Sequence, residues 1–398
     1  MGDKVIHTSD TKTLIKSNIR NYSMFIMLAL IMLIFAPLTH WNNWSPRNFT
    51  NIFFQYSYVL ILAVGMVQVI IILGIDLSVG SVCAFVGAIS AMIYNTGVGM
   101  PVVLLASIAM GVAVGAFQGT WVAYAKIPAF IVTLTGMLLF RGLTYIVTRV
   151  NPISLKDYGY SYLATGTLDE VLHVGRMGQY YPLSIITAVI ILVIFYIAEF
   201  AARKTKIANE FEVTPLAVFI AKLVIISLLV LGLAERFSRY RGLPIVVLVL
   251  GITVFIFHFI LNNTVLGRFI YAVGGNSRSA KLSGINSEFI TFTVFCIMGG
   301  LTGLAAVVST GYMNSALPQA GNLFEMDAIA ACYIGGVSAS GGIGSVIGVI
   351  VGGLVMSAIN NGMSLMNLGT HYQYVVKALI LLLAVFYDVY TRRKAGLG

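Results

Sequence analysis

Apolar runs about twenty residues long recur from Ser23 to Tyr390, the length that crosses a bilayer as a helix. Inside lipid every backbone N–H and C=O must find its partner within the protein, and a helix does that segment by segment. The chain is 59% hydrophobic and 10% charged over 398 residues, which no soluble domain of this size matches. The runs therefore predict an all-α, polytopic transmembrane helical bundle with about ten to twelve spans. Ala328–Ser338 is short for a span and reads as a half-span ending at a glycine cluster.

Between the runs the sequence marks its own boundaries. Met1–Tyr22 is polar and basic, too long for a signal-peptide n-region and followed by no cleavage site, so it reads as a retained cytoplasmic tail. The transmembrane domain then covers residues 23–390, with an outer loop at 148–181, an inserted segment at 201–241, a cytoplasmic loop at 262–288 and a short cytoplasmic C-terminal tail at 391–398. Net charge is +10. Because the basic residues cluster at the edges of the runs, they fit the positive-inside rule and not a nucleic-acid surface. The larger share of Lys and Arg falls inside when both termini are cytoplasmic. The cluster Arg236-Phe-Ser-Arg239-Tyr-Arg241 is the exception, since this topology places it outside. The three cysteines, Cys83, Cys296 and Cys332, lie in apolar runs and read as core.

Two helices carry glycine at every fourth position: Gly111, Gly115 and Gly119, then Gly344, Gly348 and Gly352. Such faces let helices approach closely, in one chain or between two copies. Their recurrence in each half, beside a glycine-broken turn, hints at an internal repeat.

Three stretches interrupt the apolar pattern. Leu73-Gly-Ile-Asp-Leu-Ser-Val-Gly-Ser81 places Gly74, Asp76, Ser78 and Gly80 between two apolar runs. Broken backbone at membrane depth is tolerated only when buried in protein or lining a wet cavity. From the residues alone, Asp76 or Ser78 capping the next helix outweighs a pathway role. Within the cytoplasmic loop, Gly274-Gly275 read as breakers. Asn276 or Ser277 reads as the cap of a short helix through Arg278, Ser279, Ala280, Lys281, Leu282 and Ser283, and Gly284 as its end. Ala280 and Leu282 are available to dock, and a plain basic loop weighs equally against a docking helix. The third stretch runs from Gly321 through Glu325, Asp327, Gly335 and Gly336 to Gly344, where Glu325 and Asp327 read as helix caps and the glycines as a tightly packed crossing or a broken helix. Arg141, Lys222 and Lys377 fall inside spans and read as snorkelling.

No phosphate-cradling G-x-x-x-x-G-K-[ST] is present, the five histidines lack metal-ligand spacing, and no Ser-His-Asp set stands out. The chain does not read as an enzyme. An ion-coupled secondary transporter of a small polar solute is the competing class. It would place ionisable groups mid-membrane, and Asp76 is its one good candidate.

Taken together, five pieces resemble the permease subunits of bacterial ABC importers for monosaccharides, of the ribose, galactose and xylose type. They are Gly74–Ser81, Ile127–Gly136 with Arg141-Gly142-Leu143, Tyr271–Asn276 continuing to Lys281–Ile285, Asp327–Ala331 with Gly335-Gly336, and Tyr372–Lys377. The extra segment 201–241 is similar to the xylose or multiple-sugar branch. One departure is the cytoplasmic Asn276-Ser-Arg-Ser-Ala280, which lacks the family's acidic residue. The resemblance implies a multi-pass protein of the bacterial inner membrane that pairs with a second permease copy. It implies a cytoplasmic ATP-binding subunit holding ATP and Mg, with no cofactor in this chain, and a periplasmic sugar-binding protein delivering a monosaccharide. It also implies that Asn276–Gly284 is the coupling helix gripped by the ATPase.

Overall fold

The computed structural model of the chain describes residues 11–394. The first ten residues of the expected N-terminal tail and the chain's end from residue 395 lie outside the described residues. The described chain is helical almost throughout. It runs α1 (Thr11–Leu38), α2 (Pro46–Ile71), α3 (Val79–Asn95), α4 (Met100–Ala123) and α5 (Ala129–Thr148), then two single-turn helices α6 (Tyr162–Thr165) and α7 (Leu168–Val171). It continues through α8 (Pro182–Ala208), α9 (Leu216–Ser238), α10 (Ile245–Asn263), α11 (Val265–Leu282) and α12 (Ser287–Met313) to α13 (Phe324–Ile334), α14 (Val346–Leu365) and α15 (Thr370–Lys394). A two-residue strand β1 (Ile153–Ser154) pairs antiparallel with β2 (Ser315–Ala316). Among the described residues, eight helices are long and apolar enough to cross a membrane, and three shorter apolar segments, Met24–Leu38, Val79–Asn95 and Thr370–Phe386, accompany them.

The chain divides into two compact units. The larger contains Ile52–Gly166 and the chain from Ile245 onward. Its centre is α2, whose apolar window is 89% buried, with α14 at 83% and α12 at 61%. Glycine, not bulk, sets how closely these helices meet. Gly111 and Gly115 of α4 lie directly on Gly299 and Gly303 of α12, where an added Cβ on either side would strike backbone. Gly348 and Gly352 of α14 meet Ala331 and Gly335 of α13 in the same way. Both small-residue faces are therefore used inside one chain. Gly344 lies ahead of α14 and does not share its face.

The smaller unit contains Thr167–Pro244, with the α8–α9 hairpin as its main feature. Only 11% of each hairpin helix's apolar window is buried, so most of that surface suits lipid. At the α9 end, Arg236 and Arg239 pair with Glu235, and Arg241 pairs with Glu170 of α7 at 2.6 Å. The helix Leu216–Ser238 is long and apolar enough to cross a membrane.

Candidate functional site

The stretch after α2 is not the tight helix–helix turn that its glycines and serines suggest. Leu73 takes a left-handed backbone at φ 65°, and residues 74–78 then run without helix to the start of α3. Asp76 and Ser78 are both buried. Asp76 does not cap α3: Ser78 occupies the cap position without a side-chain cap bond. Instead Asp76 Oδ1 accepts from Ser78 N at 2.8 Å and from Ser78 Oγ at 2.7 Å. Gln118 Nε2 of α4 donates to Ser78 Oγ at 2.8 Å, and Thr133 Oγ1 of α5 donates to Ile75 O at 3.0 Å. A buried non-helical stretch must find partners for its polar groups outside itself, and these side chains from two helices supply them. Gly136 of α5 is required here, because a Cβ would strike the Gln118 amide and crowd Ser78. Gln118 was invisible as a site residue in the sequence; its only signal is a lone amide in an apolar helix.

Gly80 sits one residue into α3 and lies against Gly321, just before α13. A Cβ on Gly80 would collide with the Gly321 carbonyl, and one on Gly321, at φ 74°, with the Gly80 carbonyl. Two helices shorter than the main spans, α3 of 17 residues and α13 of 11, thus begin at one backbone-to-backbone crossing. Arg141 of α5 holds this crossing from the side. Its Nη1 donates to Pro318 O at 3.2 Å and Ala320 O at 2.6 Å, so it is pinned and does not snorkel.

The helix after the crossing starts earlier and ends earlier than Ala328–Ser338. Leu323 is its N-cap residue, at φ 65°, with no side-chain cap bond. Glu325 and Asp327 lie in the first turn and do not cap it by side chain. Their carboxylates still suit a helix N-terminus electrostatically. Asp327 has a different partner: Lys377 Nζ of α15 donates to its Oδ2 at 2.8 Å, with both side chains largely buried. Lys377 therefore turns inward, contrary to snorkelling. Gly335 ends α13, and Gly336 follows at φ 79°.

In the cytoplasmic stretch, the helix continues through Gly274 and Gly275, and the backbone breaks at Asn276, with φ −160° and ψ 97°. Gly274 is there for packing and not as a breaker, since a Cβ would meet the Ile71 carbonyl. Asn276 Oδ1 accepts from Ser279 N at 2.9 Å, the bond of an N-cap. The short helix beyond it ends at Gly284, φ 87°. Ala280 is buried in the chain's own core, whereas Leu282 is 85% exposed. The two do not form one docking face; Leu282 is the apolar residue left outward. Arg278 is exposed, and Lys281 pairs with Glu288 at 2.5 Å.

The same segment is fixed to the broken turns. Gly342 N donates to Ile71 O at 2.9 Å, and Tyr271 Oη donates to Gly344 O at 2.7 Å. Gly341, at φ 74°, is crowded by Leu73 and Gly274. The end of α2, the approach to Asn276 and the glycine cluster after α13 therefore meet in one place. The Gly342–Ile71 bond alone joins residues 271 apart in sequence, and nothing local in any of the three predicts it.

These features define a multi-pass membrane protein built around paired broken helices, as transport proteins are. Comparison with known proteins places it further. The chain matches the family described as "Branched-chain amino acid transport system / permease component" over residues 48–196 and 159–385, and it belongs to that permease family. It is 37% identical to the xylose transport system permease protein XylH of Haemophilus influenzae over 378 residues, covering 95% of this chain and 98% of that protein. It is 38% identical to XylH of Escherichia coli K12 over 385 residues, 94% of each. Identity to the ribose import permease protein RbsC of E. coli K12 is 34% over 363 residues, 91% of this chain and 92% of that one. No solved structure matches. The chain is accordingly an inner-membrane permease component and not an enzyme.

Proposed function

We propose that this chain is the permease of an ATP-driven importer for a monosaccharide, with xylose or a related aldose as substrate. The observation that carries the reading is collinear similarity to xylose permeases over nearly the whole chain, at 37% and 38% identity against 34% for the ribose permease. In this reading both termini are cytoplasmic and two copies form the pathway. A cytoplasmic subunit binds ATP and Mg, and a periplasmic binding protein delivers the sugar. Residues 23–390 form the permease domain, and Asn276–Gly284 is the element that the ATPase grips, with Leu282 as its apolar contact. The capped, terminated helix supports that role, because transmitting a closure needs a rigid element.

The test is uptake of labelled xylose and ribose into vesicles carrying this chain with its ATPase and binding protein. Uptake should require ATP, persist when ion gradients are collapsed, and favour xylose. Uptake that follows a proton or sodium gradient without ATP would instead establish the ion-coupled class.

A further inference from the structure

The α8–α9 hairpin carries a feature separate from the broken-helix site. At the end where Asn209–Pro215 joins the two helices, a cavity opens between them, lined by Glu199, Arg203, Lys206, Thr214, Phe219 and Lys222 among others. It is held in shape. Arg203 Nη1 donates to Thr214 O at 2.8 Å and its guanidinium lies 4.8 Å from the Phe219 ring centre. Lys222 Nζ donates to Glu199 Oε1 at 2.6 Å. Val213, within the linker, is buried.

We propose that this cavity binds the phosphate of an anionic phospholipid headgroup. The cavity lining holds three cations and one carboxylate, which Lys222 already engages; Glu210 and Glu212 of the linker are not part of that lining. Lys206 is exposed and completes the cationic rim. Depth also fits. From helix rise, Lys206 and Arg203 lie about 3 and 8 Å from the end of α8, and Lys222 about 9 Å from the start of α9. The cations thus span the depth over which a headgroup meets the hydrocarbon. On the same two helices the surface around the cavity is apolar and exposed, at Ile197, Phe200, Ile220 and Val224. A free anion has no use for such a surround, whereas acyl chains attached to a bound phosphate do. Basic pockets between transmembrane helices recognise acidic headgroups by this chemistry. The sequence places this end of the hairpin inside, the leaflet rich in acidic lipid.

The experiment is native mass spectrometry of the full-length chain titrated with phosphatidylglycerol, with phosphatidylcholine of the same acyl chains, and with inorganic phosphate. The wild type should bind phosphatidylglycerol at least tenfold more tightly than phosphatidylcholine. Lys206→Gln, which alters one exposed side chain, should lose about fivefold, as expected for one cation at an anionic surface. Arg203→Ala should lose more. Glu199→Gln should gain, because it removes the competing negative charge; a merely structural ion pair would give no gain. Melting curves of each variant separate loss of binding from loss of fold. Equal binding of the two lipids, indifference to Lys206→Gln with an unchanged melting curve, or equal occupancy by inorganic phosphate would each overturn the assignment.

Discussion

Replacing Lys377 by Met should be among the most damaging single changes in the transmembrane domain. Its ammonium meets Asp327 Oδ2 at 2.8 Å, and the two side chains are 18% and 9% exposed. The other carboxylate oxygen, Oδ1, is buried with no hydrogen-bond partner, so Lys377 is the group that compensates this charge. Removing one member of a buried pair leaves the other uncompensated, at a cost of about 3–5 kcal/mol. Removing both charges, as in Lys377→Met with Asp327→Asn, leaves only a neutral amide short of partners, about 1–3 kcal/mol. The double variant should therefore be more stable than Lys377→Met alone, with a coupling energy of about 2 kcal/mol or more. The assay is equilibrium unfolding in mixed micelles with increasing denaturing detergent, with all four chains of the cycle compared. If Lys377→Met unfolds with the wild type, or the two single losses simply add, the pair does not hold α15 to α13 and the argument fails.

Asp76→Asn should keep most uptake and stability, since the amide oxygen still accepts from Ser78. Asp76→Leu leaves the buried Ser78 N–H unpaired, while its hydroxyl keeps Gln118, and should lose about 1–3 kcal/mol by the same unfolding assay. Gly80→Ala should fail to accumulate as folded protein, because its Cβ would meet the Gly321 carbonyl. Gly142→Ala, whose Cβ meets nothing within 4 Å, should be neutral or stabilising by up to about 1 kcal/mol; size-exclusion profiles of the two distinguish crowding from a general effect of losing glycine. Leu282→Glu should fold normally yet reduce ATPase co-purification and uptake, whereas Ala280→Glu should misfold, because only Ala280 is buried in the core. Normal uptake with Leu282→Glu would move the gripped surface elsewhere.

Much of the fold was legible because membrane spans announce themselves by length and apolarity, and the glycine periods at Gly111 and Gly348 marked close crossings. The partners of those faces were not legible. Gly111 meets Gly299 and Gly352 meets Ala331, and pairing across such distances is a property of topology that no local pattern encodes. Charged residues inside spans were misread for the same reason. Arg141, Lys222 and Lys377 each resembled a snorkelling side chain, and each has an acceptor far away in sequence or on the neighbouring helix. Asn276 is the opposite case. An N-cap bonds three residues ahead, so the sequence alone narrowed it to Asn276 or Ser277, and the local bond from Ser279 N picks Asn276. Leu282 and Ala280 were grouped by apolarity, but two positions apart on a helix they point in different directions, and the structure buries only one.

The broken turns and the short capped helix acquire meaning from their shared contact. Three motifs contribute backbone to it: Ile71 before the Asp76 stretch, Gly274 before the Asn276 break, and Gly342 after α13. The carbonyl of Ile71 is its centre, with the Gly342 N–H on it and Gly274 too close for any side chain between. Backbone in contact with backbone leaves no flexible side chain to absorb displacement. In the proposed reading, a push on the helix at Leu282 would pass through Asn276 and Gly274 to the end of α2 and the glycine cluster together. From there each connection leads towards the Gly80–Gly321 crossing, one through Asp76 and Ser78, the other back along α13. Two short helices that start at one crossing and trace back to one mount form a closed mechanical loop. Such a loop fits a permease driven from one side better than one gated by protonation of a single carboxylate, because Asp76 is already committed to Ser78 by two hydrogen bonds.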